Sequence, residues 1–80
     1  MNKSYTANNL LTLIEIANEA EKTTGKKVDY SMGEKISHVY NSITGENRNG
    51  GAIYMACWRI KEGFYDDRFP EVAIKRQLLN

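Results

Sequence analysis

Apolar residues recur at the spacing i, i+3, i+4, i+7 in one segment after another of this 80-residue chain, and that period belongs to helices with one buried face. In the first segment Leu10, Leu13, Ile14 and Ala17 share such a stripe between Thr6 and Thr23. Thr6 or Asn8 can cap its start, and Gly25 supplies the left-handed residue that ends a helix. Lys22, Lys26 and Lys27 gather at the carboxyl end, where the helix dipole favours cations, while Glu15 and Glu19 stand one turn apart on a solvated face.

The second segment opens on Ser31-Met32-Gly33-Glu34, which has the form of a capping box. Met32, Ile36, Val39, Tyr40 and Ile43 follow as its stripe, and Gly45 stops it. The β-branched content of residues 39–44 pulls the other way. It leaves an α+β alternative, in which residues 36–43 pair with 52–60 as a hairpin across an Asn-Gly turn. Helix is preferred because cap and periodicity agree. Beyond the turn from Gly45 to Gly51, Ile53, Ala56, Cys57, Ile60 and Phe64 keep the helical period, so a third helix is predicted from about Gly51 to Glu62. Pro70 suits the first position of a fourth helix reaching Leu79, with Glu71 and Lys75 in the favourable i, i+4 order. There Val72 with Leu79, and Ile74 with Leu78, form the apolar face. The predicted fold is all-α: one domain over residues 1–80, a bundle or array of four short helices joined by turns of about seven residues.

Composition narrows what such a domain can do. Eleven basic and ten acidic residues leave a net charge of +1, which argues against a nonspecific hold on nucleic acid or anionic membrane. One cysteine cannot form an internal disulfide. The most apolar stretch, Leu10 to Ala17, is broken by Thr12 and Glu15 and falls well short of the roughly 20 residues that span a bilayer. With the polar start Met1 to Tyr5 showing no signal-peptide pattern, the expected location is the cytoplasm. Leu, Ile, Val and Phe total 17 residues, a thin core for a chain that buries about 60% of its unfolded surface, so self-association is expected.

Few residues invite chemistry. His38 falls on the polar face of the second helix and Cys57 in the apolar stripe of the third, so neither a Cys–His pair nor a tetrahedral metal site is expected. Adjacent Asp66 and Asp67 read as capping residues. Gly45 to Gly50 has the outline of a phosphate loop, but Gly51-Ala52 stands where Lys and Ser or Thr should be. What survives is a nucleotide-binding or sequestering alternative, with Arg48 beside the amides of the third helix. No catalytic residue, metal or cofactor is assigned. Ahead of the nucleotide reading stands the first alternative, a dimeric helical DNA-binding regulator, which rests on Lys35, Ser37, His38 and Asn41 along the exposed side of the second helix. Its flanking turns are longer than a helix-turn-helix allows.

The aromatic residues say more. Tyr54, Trp58, Phe64, Tyr65 and Phe69 fall within residues 54–69, with Arg59 and Arg68 among them. Ile53, Cys57, Ile60 and Phe64 fill the inward stripe, which should leave Tyr54, Trp58 and Tyr65 partly outside. Tyr, Trp and Arg dominate interface hot spots because they bury large areas at low entropic cost. The expected function is therefore a non-enzymatic module that binds and blocks a macromolecular partner, foremost a protein, through Tyr54, Trp58, Tyr65, Asp67, Arg68 and Arg48. Chains of this size without an active site often serve bacteriophages or mobile elements as accessory proteins. On that class-level ground an antagonist of a host defence system, acting in the host cytoplasm, is expected.

Overall fold

A computed structural model describes residues 4–79, with side chains through Gln77. Four helices follow one another: α1 (Ala7–Thr24), α2 (Tyr30–Thr44), α3 (Gly50–Lys61) and α4 (Pro70–Leu79). No strand occurs among the described residues, so residues 36–60 form two helices rather than a hairpin. The connections cover residues 25–29, 45–49 and 62–69, and the first two are shorter than expected. No helix among the described residues is long and apolar enough to cross a membrane.

The caps explain the boundaries. The Thr6 hydroxyl accepts from the Asn9 amide at 3.1 Å, and Gly25 (φ 70°) closes α1 with its amide on the Glu21 carbonyl. At α2 the expected capping box does not form. Asp29 caps instead, accepting from the Met32 amide at 3.0 Å and from the Ser31 hydroxyl at 2.7 Å. A carboxylate is at least as good an acceptor for those amides as a serine, so the helix starts at Tyr30. Asn49 caps α3 through the Ala52 amide.

Leu10, Leu13, Ile36, Tyr40, Ile53 and Val72 form the centre of the core. Its closest approach is the α2–α3 crossing, where glycine meets glycine. A Cβ on Gly33 would lie 2.6 Å from the Gly50 carbonyl oxygen, and one on Gly50 would lie 3.0 Å from the Glu34 Cα. This contact corrects the expected stripe of α2. It turns Gly33, Ile36, Ser37 and Tyr40 inward, at i, i+3, i+4 and i+7, and leaves Val39 46% and Ile43 60% exposed. Ser37, assigned to the polar face, is 3% exposed and donates to the Glu34 carbonyl at 2.7 Å.

Ions fasten the remaining elements. Lys75 reaches across to Glu15 at 2.6 Å rather than pairing with Glu71, and Lys61 binds Glu21. Arg76 grips both oxygens of Asp66, at 2.7 and 2.9 Å, and also the Ile60 carbonyl, tying α4 to the end of α3. Val72 is buried and Ile74 exposed. Their expected partners Leu79 and Leu78 lie outside the described side chains, and Met1–Lys3 lie outside the described residues.

Candidate binding cleft

The connection 45–49 is built inward. Asn41 on α2 holds Arg48 by its backbone, donating to its carbonyl at 2.8 Å and accepting from its amide at 3.0 Å. That clamp aims the Arg48 guanidinium at Glu46 (2.7 Å) and lays it 3.7 Å above the Tyr5 ring. Glu46 also accepts from the Tyr40 hydroxyl and from the Asn9 side chain at 3.3 Å. The Arg48 guanidinium holds the Glu46 carboxyl below the usual carboxylate range. Burial, followed by the bond to Glu46, raises the Tyr40 hydroxyl, which stays a proton donor. Tyr5 in turn meets Tyr40 and Tyr65 edge to face, with ring centres 6.4 and 6.1 Å away.

Outside this knot lies a cleft of about 490 Å³. Ala52, Met55 and Arg59 on the exposed side of α3, with Ala56 at the edge of its buried stripe, form one wall. Tyr65, Arg68 and Phe69 form the opposite wall, and Tyr5 with residues 47–49 the floor. Arg59 lies 5.1 Å from the Phe64 ring centre, and Arg68 lies 5.4 Å from that of Phe69. Neither of these two guanidiniums has an ion-pair partner among the described residues, and no carboxylate lines the cleft. A guanidinium held by a ring face keeps its in-plane donors available. The cleft thus presents two exposed cations, Arg68 near the ring of the lining residue Phe69 and Arg59 over the exposed ring of Phe64, which lies outside the lining, in a volume typical of ligand sites.

The residues expected at a contact surface divide. Arg48, Tyr65 and Arg68 line this cleft; Tyr54 and Trp58 line a separate shallow hollow with Val28 and Lys61, and Asp67 is exposed in the connection. Tyr65 and Phe64 exchange the places predicted for them. Tyr65 is 7% exposed and Phe64 65%, because α3 ends at Lys61 and the turn at Gly63 (φ 82°) breaks the helical register before either residue. Of the DNA-reading set, Lys35 and His38 are exposed, but Ser37 is buried and the Asn41 side chain is committed to Arg48. Tyr5, Arg59, Met55 and Phe69 complete the cleft. Sequence spacing could have found Met55 and Arg59 on one face of α3, but no local pattern connects Tyr5 to them.

His38 and Cys57 do not form a pair. His38 stands 3.9 Å from Glu34 on the exposed side of α2, while burial pushes the Cys57 thiol up to about 12, which makes it a poor nucleophile. Beside Cys57 is a void of about 50 Å³, room for little more than water. Among the described residues no group of three or more His, Cys, Asp or Glu could hold a metal ion. No protein-family model, curated protein or solved structure matches the chain.

Proposed function

We propose that this protein is a non-enzymatic binding module that occupies an acidic segment of a partner protein through the cleft of Arg48, Arg59, Tyr65 and Arg68. The observation that carries this reading is the pair of guanidiniums, Arg59 and Arg68, set over aromatic rings beside a cleft without carboxylates. Hydrogen bonds to charged groups are the strong ones, about 1.5–3 kcal/mol each, and Arg and Tyr are the usual anchors of interfaces. A protein partner fits better than a nucleic acid, because the positive charge is local. Glu62, Asp66, Asp67 and Glu71 stand close to Arg68 in sequence, the net charge is only +1, and a phosphate backbone would have to pass those carboxylates. Steric occlusion of a partner in the cytoplasm is the mode of action, and it is one by which a bacteriophage or mobile-element accessory protein could antagonise a host defence system.

The test is capture from a lysate of the source cells, with three forms of the protein compared. The wild type and Trp58→Ala should retain the same partner, while Arg59→Glu with Arg68→Glu should lose it and keep its helical circular dichroism. Retention by the double variant, or loss with Trp58→Ala alone, would move the contact surface away from the cleft. A thermal shift with nucleotides that vanishes in the double variant would instead assign the cleft to a nucleotide.

A further inference from the structure

We infer that two copies of the chain pair across a second surface, the groove between α1 and α2. This groove, about 590 Å³, is floored by Ile16 and Ala20 of α1 and by Ile36 and Val39 of α2. Val39 is 46% exposed, and Ile43, one turn further along α2, is 60% exposed. The close Gly33–Gly50 approach that rotates α2 toward α3 turns these β-branched side chains out, and none of the described residues covers them.

The rims decide the occupant. Glu15 and Glu19 stand on the α1 rim and Lys35 on the α2 rim; Glu15 is taken by Lys75, while Glu19 and Lys35 are exposed and neither is ion-paired among the described residues. Opposite charges on opposite rims make the surface complementary to itself. A two-fold axis running along the groove sets Glu19 of each copy against Lys35 of the other and covers the exposed Val39 side chains. The apolar strip is narrow, so the pairing should be reversible and depend on concentration. It uses no residue of the arginine cleft, which stays open in the dimer.

Sedimentation equilibrium over a concentration series reads this directly. The wild type should pass from monomer to dimer as concentration rises, and Val39→Asp should remain monomeric with an unchanged circular dichroism spectrum. Glu19→Lys and Lys35→Glu should each weaken pairing at least ten-fold, because each sets like charges opposite one another. Combined in one chain they restore the pairs with the charges exchanged, and the dimer should return. A wild type that stays monomeric throughout, a dimer indifferent to Val39→Asp, or a charge-exchanged variant that fails to recover would each overturn the inference. Failure here leaves the cleft's partner capture untouched, since the two surfaces share no side chain.

Discussion

Residues 45–49 and residues 62–69 both border the cleft, and they are held in different ways. In the first, Asn41 clamps the backbone of Arg48, and Glu46 takes bonds from Tyr40, Asn9 and Arg48, so that most polar groups bond to the protein itself. In the second, local backbone bonds, from the Phe64 amide to the Arg59 carbonyl and from the Phe69 amide to the Tyr65 carbonyl among them, join the bidentate pair of Asp66 with Arg76, while the Phe64 and Arg68 side chains stand in solvent. The difference separates a floor fixed by side-chain bonds to distant segments from a wall fixed by local backbone bonds and one ion pair. A binding surface benefits from both, because elements fixed before association lose less entropy on binding.

Removing the knot at Glu46 should break this contrast most severely. Glu46→Ala strips the acceptor from the buried Tyr40 hydroxyl and the counter-charge from Arg48 in a single step. The expected loss is about 2–3 kcal/mol of unfolding free energy in a urea titration, the cost of orphaning buried polar groups. A loss under about 0.5 kcal/mol would mean that the floor does not depend on this carboxylate.

The same carboxyl sharpens the contrast through pH. Its folded value lies below its unfolded one, with the Arg48 guanidinium as the main cause. It therefore contributes stability that is complete above the ordinary carboxylate range, near pH 4 to 5, and is lost as pH falls through the lowered folded value. The stability gap between wild type and Glu46→Gln should be constant at neutral pH and close on acidification. Asp66, Asp29 and Glu21 are also held low, but they are common to both proteins and cancel in the difference. A gap that does not change with pH would remove Glu46 as its source.

The sequence made the floor and the wall unequally legible. Helical periodicity, Gly25, Gly45 and Pro70 revealed all four helices, because those signals are local, although the stripe and the cap of α2 differ from their sequence reading. The rotation of α2 was hidden, since it depends on Gly33 meeting Gly50, a contact between residues with no apolar side chain to count. The floor was hidden for a related reason: Tyr5, Tyr40 and Arg48 converge from three separate segments. The exchange of Phe64 and Tyr65 followed from extending a helical stripe past Lys61, where the left-handed Gly63 had already changed the direction of the chain.

The smallest expected effect lies on the wall. Phe64 is largely exposed, and its ring meets Tyr65 at 5.1 Å and the Arg59 guanidinium at the same separation. Removing an exposed ring with one edge contact and one cation over its face should cost about 0.5 kcal/mol, within the ordinary range for surface substitutions. Arg68→Ala should cost no more, since its guanidinium holds no carboxylate among the described residues. Yet Arg68→Ala should weaken partner binding about ten-fold, some 1.4 kcal/mol, because the charge it removes belongs to the interface and not to the fold. Thermal unfolding and titration calorimetry on the same preparations would separate the two quantities. An Arg68→Ala protein that unfolds early and binds normally would show that the wall, like the floor, serves the fold.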